Sequence, residues 1–181
     1  TVAMGDYDHY DIAAWVVFGE DDEKELRNEE LIMPYSKNLR QAFGNIDIYL
    51  FDQVQKGRFD RVASILDTGC GQGRNLIYFL QNGFDVYGID LDRNAISYLQ
   101  EVANQLAPHI SPDNFITADL TQMPFPDARF DAVISNSVLH FAEDETHFTQ
   151  MLEEIWRVLK SDGLFFCRLA SSIGIESRIK Q

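Results

Sequence analysis

Cysteines and long apolar runs are scarce in this sequence, and both absences limit what the protein can be. The 181 residues include only two cysteines, Cys70 and Cys167, and their spacing fits neither a metal site nor a small disulfide-bonded scaffold. No apolar run reaches the roughly 20 residues that span a bilayer, and no basic segment followed by a hydrophobic one opens the chain. We therefore expect a cytoplasmic protein with reduced thiols and no membrane partner.

Basic residues are also few, since 15 lysines and arginines stand against 29 acidic residues, for a formal net charge of -14. An acidic surface repels phosphate backbones, and the sequence shows no local basic cluster to offset that repulsion. Nucleic acid is therefore not an expected partner. The hydrophobic fraction of 45% is enough for one domain with a substantial core.

The character of the sequence changes near Arg61. Before it, residues 35–43 and 46–55 place apolar and aromatic residues at helical spacing. After it, short β-type runs alternate with helical patterns that begin near Arg74, Arg93 and Thr146. The β-type runs are residues 62–67, 84–90, 114–119, 130–136 and 164–170.

This alternation predicts an α/β fold, a Rossmann-like parallel sheet with helices on both faces. We assign residues 1–60 to an N-terminal helical extension or lid and residues 61–181 to the core. Residues 161–163, Ser-Asp-Gly, supply a stop signal for the last helix.

A glycine-rich stretch, "DTGCGQGRN" at residues 67–75, follows the first predicted strand. In open parallel sheets, ligands bind beyond the carboxyl ends of the strands, and glycine lets a ligand approach the main chain closely. Gly69, Gly71 and Gly73 are therefore predicted to form the floor of a ligand site. The spacing does not fit a dinucleotide site, because Arg74 or Leu76 occupies the position of its third glycine, and no phosphate-loop lysine follows.

Asp67 stands at the mouth of this stretch. A carboxylate there would repel a pyrophosphate and attract a ligand that carries an ammonium or sulfonium group. The residues thus favour a cationic ligand.

Four motifs in order extend this interpretation: "LDTGCGQG" (66–73), "VYGIDLD" (86–92), "TADLTQMPFPDARFDAVIS" (117–135) and "LEEIWRVLKSDGLFF" (152–166). Between about residues 63 and 170 the chain resembles the class I S-adenosylmethionine-dependent methyltransferases, with a seven-stranded Rossmann-like fold. The resemblance implies S-adenosylmethionine as cofactor and S-adenosylhomocysteine as product.

Roles for individual residues follow from this resemblance. Asp67 would orient the methionine ammonium with help from the backbone of Gly69 and Asn136, and Asp119 would accept from the adenine amine. Leu91 and Leu120 would enclose the ring. The remaining cofactor-binding candidates are Thr68, Cys70, Gly71, Gly73 and, through amides where a helix opens, Arg74 and Asn75.

Asp90 ends the second predicted strand, about 20 residues beyond the glycines, where a carboxylate can accept both ribose hydroxyls. Two alternatives remain for the acidic candidates. Asp90 could instead cap the helix that follows, and Asp119 could be a turn-forming residue.

Methyl transfer from a sulfonium is an in-line displacement that depends mainly on orientation, and a base is optional. His140 is the candidate base or acceptor contact, with a packed histidine as the alternative. We interpret His9, His109 and His147 as surface residues. Tyr7, Tyr10 and Trp15 are candidates for an aromatic cover over the cofactor, or for helix packing.

The sequence departs from the family after the fifth strand, where two further strands are usual and only residues 171–181 follow. We expect those strands to be missing through disorder or truncation, or the fifth strand to be covered by a partner.

The sequence therefore predicts a methyltransferase acting on a small-molecule acceptor. The alternative is a catalytically silent cofactor-binding module that acts through a protein partner. The glycine spacing and Asp67 argue against a nicotinamide-dependent oxidoreductase.

Overall fold

The computed structural model describes residue 39 and residues 41–169, and five strands within them form one parallel sheet. The strands are β1 (Ser64–Thr68), β2 (Asp85–Asp90), β3 (Phe115–Thr117), β4 (Phe130–Asn136) and β5 (Leu159–Arg168). The helices are α1 (Ile48–Gln55), α2 (Ile77–Gln81), α3 (Arg93–Leu106) and α4 (Glu145–Val158), with short 3-10 turns at Pro112–Asn114 and Leu139–Phe141. The predicted α/β architecture is confirmed.

The strand order is β3-β2-β1-β4-β5, and every described pairing is parallel. The chain builds outward from β1 to β3 and then returns to the other side of β1 with β4. The strand order therefore reverses between β1 and β4. In parallel sheets a ligand crevice opens at the carboxyl ends of the strands that flank such a reversal.

Helices cover both faces of the sheet, as predicted, and the side chains of the strands alternate between two cores. Ile65 of β1 packs in the core that includes α1, α2 and α3. Its neighbour Leu66 packs in the second core, with Met151 and Ile155 of α4. Because both faces are covered, all five residues of β1 are buried.

The end of the sheet at β5 differs from the predicted strand. Phe130 of β4 pairs with Leu159, and Ala132 pairs with Leu164, so residues 160–163 form an irregularity inside the strand. Asp162 has a φ of 65° there. Helix α4 ends at Val158, and the Ser-Asp-Gly stop signal that follows lies in a bulge inside β5. The strand therefore begins at Leu159, five residues earlier than expected.

The second helix also begins later than predicted. Turns occupy residues 74–76, and α2 starts at Ile77 rather than near Arg74. Arg74 and Asn75 therefore lie before the helix and not in its first turn.

Helix α1 packs on the first core through Leu50, whose side chain is fully buried. The predicted boundary at residue 60 stays a prediction, because most of the preceding segment lies outside the described residues. Among the residues described, no helix has the length and apolar character needed to cross a membrane.

A buried carboxylate connects α1 to the end of β5. Asp47 caps the helix by accepting from the backbone N–H groups of Tyr49 at 3.0 Å and Leu50 at 3.3 Å. Its other oxygen accepts from Arg168 Nη1 at 2.6 Å, and its own N–H donates to Asn75 Oδ1 at 3.0 Å. This cluster holds three distant segments of the chain together.

We expect Asp47→Ala to lower the free energy of unfolding by about 2 to 4 kcal/mol, because a helix cap and a largely buried ion pair are lost together. Chemical denaturation measures the change. Asp52→Ala is the matched control, since its exposed ion pair with Lys56 should contribute less than about 0.5 kcal/mol. Equal losses in the two variants would contradict the role assigned to the Asp47 cluster.

Candidate functional site

Three buried polar atoms at the carboxyl ends of β1 and β4 have no hydrogen-bond partner among the described residues. They are Asp67 Oδ2, Ser135 Oγ and Asn136 Nδ2. Buried polar atoms are normally paired, since an unpaired one costs about 1 to 3 kcal/mol. Their position beside the reversal in strand order is where a ligand would supply the missing partners.

Asp67 is the most unusual of these groups, with only 1% of its surface exposed. Burial raises the pKa of its carboxyl to about 8, while Arg74 acts to lower it and Asp90 to raise it further. A carboxyl group in this position gains from a cationic ligand, because the positive charge replaces the water that burial removed.

The glycine-rich stretch follows Asp67 directly in the chain, and each glycine has its own steric environment. All three have positive φ, 66° at Gly69, 52° at Gly71 and 81° at Gly73. A Cβ on Gly69 would come within 2.4 Å of Val138, and one on Gly73 within 2.3 Å of Leu99.

Of the three glycines in this stretch, only Gly71 faces open space, with no atom within 4 Å of a Cβ placed on it. Gly69 lines the cavity, whereas Gly73 packs against α3. The predicted floor of three glycines is therefore a smaller surface in which Gly73 has a packing role.

Asp90 ends β2 and holds the glycine-rich stretch in place. Its Oδ2 accepts from the Gly71 N–H at 2.8 Å, and its Oδ1 accepts from the Asp92 N–H at 2.8 Å. Asp92, not Asp90, caps α3, because its side chain accepts from Asn94 N. The capping alternative for Asp90 is thus wrong. Each of its oxygens can accept a further hydrogen bond, and the residue lines the cavity.

A cavity of about 300 Å³ opens along the carboxyl ends of β1, β2, β3 and β4. This volume lies at the lower end of the range for small-molecule sites. Its walls are mostly apolar, with a few polar groups. The lining residues include Gly69, Asp90, Leu91, Asp119, Leu120 and His147.

Asp119 uses one oxygen in a turn and leaves the other available. Its Oδ1 accepts from the N–H of Thr121 at 2.8 Å and from the hydroxyl of the same residue at 2.7 Å. These bonds lower the pKa of Asp119, so it is charged at neutral pH. The turn-forming alternative is therefore correct for Oδ1, and Oδ2 can still serve a ligand.

Leu91 and Leu120 both line the cavity, but they differ in exposure. Leu91 is 72% exposed, whereas Leu120 is 7% exposed. An exposed leucine on a cavity wall gains most from a flat apolar ligand that covers it.

Helix α4 fixes the loop that follows Leu120. Glu154 Oε2 accepts from the Met123 N–H at 2.8 Å, and Arg157 donates to the Met123 and Phe125 carbonyls at 3.0 and 2.7 Å. Arg157 also donates to Glu154 and lowers the pKa of that carboxyl. The cavity wall is thus anchored by charge-assisted hydrogen bonds, which are the stronger kind. Sequence reasoning did not identify this clamp.

Besides Gly73, the predicted binding residues that do not line this cavity are Asp67, Thr68, Cys70, Gly71, Asn75 and Asn136. Thr68 is buried and donates to the Ile134 carbonyl at 3.1 Å, and Cys70 is buried with a raised pKa caused by burial. Asn75 is buried, and its Oδ1 accepts from the backbone N–H of Asp47. Asn136 lies at the end of β4, where its Nδ2 lacks a described partner.

The described histidines, His109, His140 and His147, differ in exposure, and His109 is exposed as expected. His140 is exposed in the 3-10 turn after β4, and its ring lies against Phe141, with centroids 4.4 Å apart and ring planes tilted by 43°. Its role as a base stays a prediction. His147, expected at the surface, is half-buried in the first turn of α4, and it also lines the cavity, which the sequence does not predict.

Tyr7, Tyr10 and Trp15, the predicted aromatic cover, lie outside the described residues, as does His9. Within the described part of the chain, no group of three His, Cys, Asp or Glu side chains is arranged to hold a metal ion.

Comparison with known proteins gives consistent matches. A family model described as a methyltransferase domain matches residues 66–167, which is more than half of the chain. A malonyl-[acyl-carrier protein] O-methyltransferase of Pseudescherichia vulneris is 34% identical over 112 residues, covering 61% of this chain and 41% of that protein. YodH, an uncharacterized methyltransferase of Bacillus subtilis, is 32% identical over 128 residues, covering 71% of this chain and 49% of that protein.

A solved structure agrees at the level of the fold. An S-adenosylmethionine-dependent methyltransferase from Clostridium acetobutylicum superposes with a TM-score of 0.61 at 13% identity, covering 87% of this chain and 61% of that one. The chain spans less than half the length of the two relatives it matches by sequence.

The raised pKa of Asp67 predicts an unusual dependence of stability on pH. Its folded-state pKa of about 8 lies above the ordinary value of 3.8, so the folded protein binds the extra proton. This group therefore destabilises the ligand-free protein increasingly as pH rises from about 4 to about 8. We expect Asp67→Asn to be more stable than the wild type by roughly 1 to 4 kcal/mol at pH 8 and equal to it at pH 4.

Denaturant unfolding at several pH values measures this difference, with the exposed Asp113→Asn as control. The control should not reproduce the upward trend between pH 4 and pH 8. A pH-independent difference for Asp67→Asn would show that its carboxyl does not titrate in this window.

Proposed function

The chain belongs to the class I S-adenosylmethionine-dependent methyltransferases, and from that premise we propose that it transfers the methyl group of S-adenosylmethionine to a small-molecule acceptor. The observation that carries the proposal is the buried, unpartnered carboxyl of Asp67 at the reversal in strand order. The amino-acid end of this cofactor carries an ammonium group that suits a buried carboxylate. A nicotinamide dinucleotide would bring a pyrophosphate toward the same carboxyl.

The described residues fit the parts of the cofactor in turn. Asp67 accepts from the ammonium group, and the unpartnered Nδ2 of Asn136 is a donor suited to the carboxylate. Asp90 accepts from the ribose hydroxyls while it holds Gly71. Asp119 accepts from the adenine amine through Oδ2, between the apolar walls of Leu91 and Leu120.

The bound cofactor supplies an activated methyl group on a sulfonium. The task of the protein is then to hold the acceptor in line with the methyl–sulfur bond and to exclude water, and orientation of this kind is worth up to roughly 7 to 11 kcal/mol. His140 is the proposed base or acceptor contact. In support, it is exposed, and its ring contacts Phe141, a lining residue of the cavity.

A small acceptor is supported by the charge of the protein. The net charge of -14 disfavours polyanionic acceptors such as nucleic acid. The relative from Pseudescherichia vulneris is named for a malonyl group carried on an acyl-carrier protein, so its name does not itself favour a free small molecule.

Two measurements test the proposal. S-adenosylhomocysteine should raise the melting temperature while NAD should not, since only a ligand of the folded state stabilises it. Methyl-labelled S-adenosylmethionine is then incubated with fractionated cell extract. Label in the small-molecule fraction supports the proposed acceptor class, whereas label in protein or RNA, or binding of NAD alone, contradicts the proposal.

We expect Asp90→Ala to weaken S-adenosylhomocysteine binding by roughly 2 kcal/mol or more, because two hydrogen bonds to a charged acceptor are lost. Calorimetric titration gives the dissociation constant. Asp92→Ala is the control, since loss of a helix cap should reduce stability by about 1 kcal/mol without a comparable loss of affinity. An unchanged affinity in Asp90→Ala would remove this residue from the cofactor site.

A further inference from the structure

His147 lies in the cavity wall near Asp119, although neither the glycine-rich stretch nor the strand ends predict a histidine there. Its backbone N–H donates to Asp144 Oδ1 at 2.8 Å, which places it in the capped first turn of α4. Asp119 lines the same cavity, and a positive charge on the His147 imidazole would lower the pKa of Asp119, which indicates that the two side chains are close. The two side chains therefore share one region of the cavity.

The hydrogen bonds of the imidazole determine where its proton lies. Nδ1 accepts from the backbone N–H of Glu143 at 3.1 Å, so this nitrogen carries a lone pair. In a neutral imidazole the proton is then on Nε2, which is a donor. Nε2 has no acceptor among the described residues, and it belongs to a side chain that lines the cavity.

Asp119 and His147 thus offer an acceptor and a donor in the same region. Adenine presents the complementary pair, because its exocyclic amine donates and the ring nitrogens on either side of that amine accept. A base with a carbonyl in place of the amine would place an acceptor against the Asp119 carboxylate.

We propose that His147 is a further cofactor-binding residue. Its Nε2–H donates to a ring nitrogen of adenine beside the exocyclic amine, and that amine donates to Asp119. The proposal rests on the binding of S-adenosylmethionine proposed above. The loop of Glu143 and Asp144 then has a defined purpose, because it fixes the tautomer as well as the position of the ring.

The first experiment removes the donor and the acceptor separately. Calorimetry measures the binding of S-adenosylhomocysteine and of its 1-deaza and 7-deaza analogues, in which one ring nitrogen is replaced by C–H. The proteins are the wild type, His147→Phe, which keeps a ring without a donor, and His147→Gln, which restores an amide donor. His109→Phe is the matched control, since His109 is exposed and lines none of the described cavity.

We expect the wild type to bind one of the two deaza analogues about 3- to 10-fold more weakly than S-adenosylhomocysteine, the range for one hydrogen bond. His147→Phe should bind S-adenosylhomocysteine weaker by a similar factor and should no longer distinguish that analogue. His147→Gln should recover part of the distinction, and His109→Phe should behave as the wild type.

If the deaza substitution and His147→Phe each weaken binding independently, so that their two fold-changes multiply, the proposal is overturned while the proposed function stands. Equal wild-type affinity for all three ligands would have the same consequence. Absence of S-adenosylhomocysteine binding by the wild type would overturn both. A second measurement needs no variant: nitrogen-15 NMR of the wild-type imidazole should show the proton on Nε2 and a shift of that resonance on binding. A proton on Nδ1 in the neutral ring would also overturn the proposal.

Discussion

The carboxyl edge of the sheet is arranged around one buried carboxyl group that no described residue neutralises. Asp67 belongs to the central strand, with β2 on one side and β4 on the other, so water has little access to it. Arg74 and Asp90 act on it in opposite directions. A fold tolerates such a group when a bound partner offsets its cost, and the unpartnered atoms of Ser135 and Asn136 lie at the same edge.

The glycine-rich stretch shows how one sequence motif combines separate physical requirements. Gly69 leaves room for Val138, and Gly73 leaves room for Leu99. Gly71 leaves its own space open and donates its N–H to Asp90. From the sequence alone, all three glycines are predicted to allow close approach of a ligand, whereas the structure separates packing from access.

Much of the fold was predictable because local signals and burial agree. Strand β4 has the predicted bounds, and α3 begins at the predicted Arg93, after the Asp92 cap. The start of β5 was not predictable, because a polar Ser-Asp-Gly turn does not show whether the strand resumes pairing on both sides of it. The place of His147 in the cavity wall was not predictable for a related reason. A histidine at a helix start does not indicate that the backbone N–H of Glu143 will hold its ring.

The contact between Asp47 and Arg168 also constrains the order in which the protein forms during synthesis. The two residues are 121 positions apart, and Asp47 leaves the ribosome first. At typical rates of translation Arg168 follows roughly 6 to 24 s later. Throughout that interval the cap of α1 lacks its ion-pair partner, so the nascent chain can complete this corner of the core only after its fifth strand has been made.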